Sequence, residues 1–204
     1  MSEESPDIAD LSMPELLVAF GVAEPVGDDL RLADGFRTRW RGTLDALADR
    51  ESRVATLADL YDEPVGTVGV EYREVEQSAP SADADDRPFA LVGDRAAYNW
   101  ISEAAMLADL AAHRAVDDDR WGTLDRNDRT RVLKSFRVVL DECPVCGGSV
   151  VPTADVVESC CRDWDVIAVR CTDCTARVVE LPPPEPGGQG GSDPVPPPTG
   201  GFTR

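Results

Sequence analysis

The chain carries Cys143-Pro144-Val145-Cys146-Gly147-Gly148 and, further on, Cys171-Thr172-Asp173-Cys174, two C-x-x-C knuckles separated by 24 residues. The two-residue spacing lets both thiolates of a tight turn reach one ion, and the glycines after the first knuckle permit close approach of the backbone to the sulfur atoms. Four thiolates form a closed tetrahedral site of the kind that holds structural zinc. We therefore predict one structural Zn²⁺, and its expected ligands are Cys143, Cys146, Cys171 and Cys174.

Short strands are predicted between and after the knuckles. The pattern favours strands at 156–160 and 166–169, joined around Arg162-Asp163, and a third at 177–181. The order of knuckle, hairpin, knuckle and strand resembles the zinc-ribbon superfamily over residues 141–181. Members of that superfamily bind nucleic acids, bind other proteins or stabilise a fold, so the resemblance predicts the fold and does not predict an activity. Because the protein fills all four ligand positions, we expect no catalysis at the metal and no enzyme activity.

Cys160 and Cys161 allow three interpretations. Adjacent strand residues point to opposite faces, so at most one of the two faces the knuckles and could replace a knuckle cysteine as a ligand. Free cysteine commonly packs as a small buried hydrophobe, which is the simplest role for both. As a redox pair, they would depend on Arg162 to lower the pKa of the Cys161 thiol. A disulfide between neighbouring residues strains the backbone, which weighs against the redox interpretation.

The rest of the chain alternates helical and hairpin patterns, which predicts an α+β fold. Ser12 and Glu15 form a capping box at the start of the first helix. Asp34 is the expected N-cap of the second helix, and Ser102 that of an alanine-rich helix. We predict helices at 12–20, 34–47, 52–61, 102–115 and 127–140, and strands at 23–26, 30–32, 68–72, 89–92 and 96–100.

Composition divides the chain into five segments. A degenerate winged-helix unit is one hypothesis for residues 12–50. The stretch 77–87 has the small and polar composition of a linker. From Pro182 to Arg204, eight of 23 residues are proline and six are glycine, which cannot bury a core and predicts disorder. The predicted segments are 1–76, a helix and hairpin region; 77–87, the linker; 88–140, a hairpin and two helices; 141–181, the ribbon; and 182–204, the disordered tail.

The formal charge of −19 results from 39 acidic against 20 basic residues, which are dispersed along the chain. A dispersed acidic surface keeps a protein hydrated in molar salt, whereas an acidic interaction tail concentrates its charge in one block. We therefore interpret the charge as the mark of a salt-adapted cytoplasm. The single histidine, His113, excludes H-E-x-x-H hydrolases, three-histidine zinc sites and Cys2His2 fingers. Without a signal-peptide pattern or an apolar run of about 20 residues, we expect no membrane association.

One helix reverses this charge. Residues 126–137 carry five basic residues against Asp128, a local charge of +4. On a helical wheel, four of the cations lie opposite most of the apolar stripe, whereas Arg129 falls inside it. Such a face could bind a polyanion; alternatively, its cations pair with carboxylates of the same acidic chain. The charge of −5 on residues 141–181 opposes nucleic-acid binding. The candidate polyanion contacts are Arg126, Arg131, Lys134 and Arg137.

Three stretches together resemble an uncharacterised zinc-ribbon family of halophilic archaea. They are the hairpin at 89–100, the sequence A-D-L-A-A-H-R in the helix after Ser102, and the cysteine blocks P-V-C-G-G, E-S-C-C and V-I-A-V-R-C-T-D-C. The resemblance covers residues 88–181 and implies the ribbon fold and a cytoplasmic location, with no known activity. Thr175 departs from the pattern of the many ribbons that have glycine after the second knuckle, so we expect a less open turn there.

Our leading hypothesis is a zinc-stabilised, non-enzymatic interaction protein with a regulatory role, whose partners are proteins. One alternative is a nucleic-acid-associated factor of the transcription type that uses the basic helix 126–137. A second alternative is a thiol redox protein that works through Cys160 and Cys161. The chain has no phosphate loop, nucleophile elbow or dinucleotide fingerprint, so we infer no small-molecule substrate.

Overall fold

A computed structural model describes residues 11–73, 87–158 and 163–182, with the side chains of 155–158 and 163–165 excepted. The fold is α+β, as predicted. Within the described residues, each predicted helix and strand is present, and its ends differ from the predicted ends by at most six residues. The helices are α1 Met13–Ala19, α2 Asp34–Leu44, α3 Arg50–Leu60, α4 Glu103–Ala115 and α5 Arg126–Phe136. The strands are β1 Ala23–Val26, β2 Asp29–Leu32, β3 Val68–Arg73, β4 Arg87–Val92, β5 Arg95–Asn99, β6 Val150–Glu158, β7 Asp163–Cys171 and β8 Arg177–Leu181.

The strands of the described residues form three small antiparallel sheets, β1–β2, β3–β4–β5 and β6–β7–β8. In the middle sheet, β3 pairs with β4 from Val68 opposite Val92 to Arg73 opposite Arg87. The segments before and after the predicted linker therefore contribute to one sheet. The five-segment division and the winged-helix hypothesis stay predictions, and the tail from residue 183 onward lies outside the described residues.

Polar side chains explain where α1, α3, α4 and α5 begin. The Ser12 backbone N–H donates to Glu15 Oε2 at 2.8 Å, and side chains of Asp49, Ser102 and Asp125 accept from backbone N–H groups of the first turns of α3, α4 and α5. The prediction that Asp34 caps α2 is wrong, because Ala33 occupies the N-cap position and Asp34 is the first helical residue. The Asp34 carboxylate instead contacts Arg37 at 3.2 Å, one turn along the helix.

The alanine-rich helix α4 lies at the centre of the core, where it packs against α2, α3, α5 and β8. Its small side chains allow close helix packing, so that the Trp40 indole N–H donates to the Ala108 carbonyl at 3.2 Å. Phe136 meets Phe36 and Trp40 edge to face, with ring centroids 5.6 and 5.9 Å apart. This aromatic cluster joins α2 to α5 beside α4.

The sheet β6–β7–β8 and its two knuckles share this core instead of forming a separate one. Cys143, Val150, Cys171 and Val178 belong to the same cluster of buried side chains as the aromatic residues of α2 and α5. Ion pairs of α2 add to the contact, with Arg37 Nη2 2.5 Å from an Asp141 carboxylate oxygen and Arg41 paired with Glu142. The end of the described chain that carries the two knuckles is therefore attached to the helical part of the protein by apolar contacts and ion pairs.

Across the described residues, every helix falls short of the length and apolar character that a membrane span requires.

Candidate metal centre and basic helix

The two knuckles have matching backbone geometry. The Cys143 N–H donates to the Gly148 carbonyl at 2.8 Å, and the Cys171 N–H donates to the Ala176 carbonyl at 3.0 Å. Each bond spans five residues and folds its C-x-x-C turn back on itself. The residue after each second cysteine has a positive φ, +75° at Gly147 and +61° at Thr175. Thr175 thus holds the left-handed conformation that glycine adopts without strain in the first knuckle.

The structure brings the four predicted cysteines together, with all four sulfur atoms within 4.8 Å of one another. Two of the separations between sulfur atoms are 3.4 Å, for Cys146 and Cys171, and 3.6 Å, for Cys143 and Cys174. A tetrahedral ion with metal–sulfur bonds of about 2.3 Å requires its sulfurs about 3.8 Å apart. The donor set and its spacing therefore fit one tetrahedral metal ion, which these four residues would hold.

Burial and the backbone set the protonation of the metal-free thiols. Burial raises the pKa of the Cys143 thiol. Partial desolvation and the neighbouring thiols of Cys146 and Cys171 raise the pKa of the Cys174 thiol. Burial also acts to raise the pKa of Cys171, but backbone N–H groups of Cys174 and Asp173, together with neighbouring cysteines, outweigh it and lower that pKa to about 7. The Asp173 N–H lies 3.4 Å from the Cys171 sulfur. The second knuckle thus favours a thiolate at Cys171, the form that binds metal.

Gly148 lets the knuckles approach each other. A Cβ atom at this position would lie 2.5 Å from Asp173 Oδ2 and 3.0 Å from Asp173 Cβ. The Thr172 N–H crosses between the knuckles and donates to the Ser149 carbonyl at 2.9 Å. The second glycine of C-P-V-C-G-G therefore leaves room for the Asp173 side chain, which would have to shift to admit a Cβ atom, whereas the first glycine is favoured by its positive φ.

Cys160 and Cys161 lie outside the described residues. The interpretations of these two cysteines as alternative ligands, buried hydrophobes or a redox pair stay predictions.

Three of the four candidate polyanion contacts lie on the exposed face of α5. Arg126, Arg131 and Lys134 are exposed. Arg131 lies 3.3 Å from Asp128 one turn earlier, and the Arg126 guanidinium lies 5.2 Å from the centre of the Tyr61 ring. Among the described residues, neither Arg126 nor Lys134 has an ion-pair partner. The alternative that internal carboxylates neutralise this face holds for Arg131 alone among the three.

Arg137 does not belong to this face, which corrects the sequence prediction. α5 ends at Phe136, not at 140, and bonds from Val138 N–H to Ser135 and from Val139 N–H to Phe136 tighten the chain that follows. Arg137 is only 3% exposed and points into the interior. A buried acid on α4 pairs with it.

That acid is Asp109, which sequence analysis missed as a partner. Arg137 Nε approaches Asp109 Oδ1 at 3.0 Å, an ion-pair contact that lacks hydrogen-bond geometry. Arg137 also donates to the Val178 carbonyl of β8 at 3.1 Å and to the Tyr98 hydroxyl at 3.0 Å, while the Trp100 indole N–H donates to Asp109 Oδ2 at 2.8 Å. An acidic residue within an apolar helix was the available signal, because a buried charge requires a partner.

Arg129 and His113 serve structural roles inside the helical part. Arg129 donates to the Leu60 carbonyl at 3.0 Å and pairs with Asp62 at 2.9 Å, so it caps the end of α3. His113 accepts from the Trp121 indole N–H at Nδ1 and contacts Asp59 through Nε2, both at 2.9 Å. Burial lowers the pKa of His113, although Asp59 acts in the opposite direction. Neither residue belongs to the metal site.

The fold and the site together define an α+β protein whose described chain ends in a four-cysteine cluster that is compatible with a zinc ribbon. Residues 12–138 match the central domain of a family of unknown function, DUF8054, and residues 141–181 match the C-terminal domain of the same family. The chain belongs to this family. The family match begins at residue 12, whereas the resemblance seen in the sequence began at residue 88. No curated protein and no solved structure matches the chain.

Proposed function

We propose that the chain is a zinc-stabilised, non-enzymatic interaction protein with a regulatory role. The observation that carries this proposal is the closed set of four sulfurs within 4.8 Å, supplied by two knuckles that share a core with the rest of the described chain. A fully protein-ligated ion leaves no position for a substrate or for an activated water. The role that fits such an ion is to stabilise a surface.

Zinc is the ion that the donor set favours. Four thiolates at tetrahedral spacing select zinc or iron, and a closed tetrahedral site is the usual form of structural zinc. Zinc binding to small metal domains supplies on the order of 10–16 kcal/mol, as much as the whole stability of many domains. Because Cys143 and Cys171 belong to the common core, this free energy supports the helical part as well.

Metal analysis of the purified chain tests the first half of the proposal. We expect one zinc per chain, and Cys143→Ser should lose the zinc and lower the unfolding temperature. The matched control is the double variant Cys160→Ser plus Cys161→Ser, which should keep one zinc and the parent stability. A Cys143→Ser variant with full zinc content and full stability, or a parent chain that purifies with another metal, would contradict the proposal.

Capture experiments at high salt test the second half. The zinc-loaded chain and the same chain stripped by a chelator are used as bait, and bound proteins are identified by mass spectrometry. We expect a partner protein bound by the loaded form alone, because the metal maintains the surface. Recovery of the same proteins by both forms would show that the metal-dependent surface is not the one that binds.

Nucleic-acid binding by α5 is a second candidate, supported by the exposure of Arg126, Arg131 and Lys134. Arg126 and Lys134, which have no ion-pair partner among the described residues, are free to replace the counterions of a phosphate backbone, which makes such binding steeply salt-dependent. Labelled duplex DNA and RNA are titrated at several salt concentrations with the parent chain and with Arg131→Glu plus Lys134→Glu. The charge-matched control is Arg95→Glu plus Arg114→Glu, at exposed positions outside α5.

Under this second candidate, the α5 variant loses binding and the control variant retains it. Equal binding by the two variants, or none by the parent chain, would exclude α5 as a nucleic-acid contact. For the third function, thiol redox chemistry at Cys160 and Cys161, the described residues supply no support.

We propose a salt-adapted, reducing cytoplasm as the location. The charge of −19 supports it, because a densely acidic surface repels itself in dilute buffer and is screened in concentrated salt. Circular dichroism and thermal unfolding in increasing KCl should show gains in helicity and in unfolding temperature up to molar salt. Full folding in dilute buffer with no gain in molar KCl would contradict salt adaptation.

A further inference from the structure

The four knuckle sulfurs divide into two accessible and two protected atoms. Cys146 and Cys174 are exposed, and we call them the outer cysteines. Cys143 and Cys171 are 1% and 3% exposed, and we call them the inner cysteines. Each knuckle contributes one of each kind.

Two close sulfur contacts cross between the knuckles. Cys146, an outer cysteine, lies 3.4 Å from the inner Cys171, and the outer Cys174 lies 3.6 Å from the inner Cys143. Each accessible sulfur therefore has a protected sulfur of the opposite knuckle as its neighbour. The surroundings leave the outer sulfurs open, because Gly147 has no side chain and the Val145 side chain is turned outward, 53% exposed.

We propose that the outer cysteines are a modification site for hydroperoxides, at which oxidation replaces the metal by two disulfides, Cys146–Cys171 and Cys143–Cys174. The proposal rests on the proposed metal for the ion that is released, but the pairing of the cysteines depends on the sulfur positions alone. Accessible thiolates are the cysteine form that peroxides attack, and a neighbouring thiol resolves the product as a disulfide.

The chemistry takes two steps at each pair. The outer thiolate attacks one oxygen of the peroxide, so that a sulfur–oxygen bond forms and the oxygen–oxygen bond breaks; hydrogen peroxide releases hydroxide, which is protonated to water, and an organic hydroperoxide releases an alkoxide, which is protonated to the alcohol. The inner thiolate then attacks the outer sulfur, so that the sulfur–sulfur bond forms and the sulfur–oxygen bond breaks, releasing hydroxide that becomes water. The two sulfurs lose two electrons, and the hydroperoxide accepts them.

The crosslinks would hold together the parts that the metal holds. A disulfide bond is about 2.05 Å long, so each pair of sulfurs closes by about 1.5 Å, which side-chain rotation in exposed turns can supply. The Cys146–Cys171 bond encloses the whole hairpin of β6 and β7, and the second bond joins the same two knuckles. Oxidation should therefore release the ion while the two knuckles stay together.

The test uses the full chain, loaded with zinc, in the background Cys160→Ser plus Cys161→Ser, and hydrogen peroxide as the oxidant. A colour-forming chelator measures released zinc, intact mass measures the loss of two hydrogens per disulfide, and peptide mapping identifies the bonded cysteines. We expect zinc release in step with disulfide formation, the two cross-knuckle pairs in the map, and a retained cooperative thermal transition. Reductant and added zinc should restore the starting form.

Three results would overturn the proposal: disulfides within the knuckles, namely Cys143–Cys146 or Cys171–Cys174; oxidation of the thiols to sulfinic acid without crosslinks; or release of zinc with loss of the thermal transition. The same mapping on reduced, metal-free protein separates this proposal from the proposed function. A chain that binds no zinc but forms the cross-knuckle pairs contradicts the structural metal alone. The variant Cys146→Ser should still form Cys143–Cys174, which keeps the pairing testable when one ligand is lost.

Discussion

Replacing Arg137 with methionine should be among the most damaging single changes outside the knuckles. The arginine side chain is 4% exposed and the Asp109 side chain that it faces is 3% exposed. The guanidinium also donates to the Val178 carbonyl on β8 and to the Tyr98 hydroxyl. One buried cation thus connects the end of α5 to α4, to β5 and to the ribbon sheet, and methionine preserves only its apolar stem.

The expected loss of stability is about 4 kcal/mol. Breaking a buried ion pair by removing one partner costs about 3–5 kcal/mol, because it leaves an uncompensated buried charge. In the variant, the Asp109 carboxylate keeps only the hydrogen bond from the Trp100 indole. The Val178 carbonyl and the Tyr98 hydroxyl also lose the arginine as donor. A buried group left without its donor costs about 1–3 kcal/mol, although such costs do not add fully.

Urea unfolding of the zinc-saturated chain, followed by tryptophan fluorescence at constant salt, measures this loss. The matched control is Arg131→Met, an exposed arginine on the same helix, for which we expect a change within about 0.5 kcal/mol. The double variant Asp109→Leu plus Arg137→Met should lose less than Arg137→Met alone, since no buried charge remains without a partner. A loss below about 1 kcal/mol for Arg137→Met would refute the reasoning.

The pH dependence of the same variant gives an independent check. Burial raises the pKa of Asp109, whereas Arg137 and the hydrogen bond from Trp100 act to lower it. Removing Arg137 raises that pKa further, so the folded variant takes up a proton before the unfolded chain does. Its stability relative to the parent should therefore recover as the pH falls from 7 toward the ordinary value of 3.8. A gap that stays constant or widens on acidification would show that Asp109 is not the source of the loss.

Three further changes probe the knuckles and the helical part. Thr175→Gly should stabilise the zinc-loaded chain by about 0.5–1 kcal/mol, as measured by urea unfolding. Glycine removes the strain of the positive φ, and the greater entropy of the unfolded glycine chain offsets part of that gain. Gly148→Ala should weaken zinc binding in a chelator competition, because the new Cβ would lie 2.5 Å from Asp173 Oδ2, and unchanged affinity would contradict that contact. The lowered pKa of His113 means that the unfolded chain takes up this proton first, so stability should fall as the pH drops below 6.5. In His113→Gln that part of the slope should disappear, and an identical slope would show that other groups cause it.

Local sequence signals predicted the elements well where a few neighbouring residues decide the outcome. The predicted capping residues Ser12 and Ser102 each bond within their own first helical turn, and β8 occupies the predicted residues 177–181. Thr175, where many ribbons have glycine, has a φ of +61°; the expected less open turn stays a prediction. Such features are readable because their interacting groups lie within five residues of each other.

The burial of Arg137 at the end of α5 could not be predicted from neighbouring residues. A helical wheel continued to residue 140 places Arg137 with the exposed cations, because it describes one helix without the residues that pack against it. Its burial depends on Asp109, 28 positions earlier, and on Val178, 41 positions later. The sequence shows that Asp109, an acid in an apolar helix, requires a partner, but it does not show that the partner is Arg137.

The sequence by itself determined the donor set of the metal site, the strands around it and the α+β alternation, because ligand spacing and hydrophobic period act over short stretches. Only the tertiary structure decided that β3 pairs with β4, that the knuckles share the core of the helical part, and which cations stay on the surface. These outcomes depend on contacts between residues far apart in the chain. Their free energy depends on which buried groups find partners, and the fold alone supplies those partners.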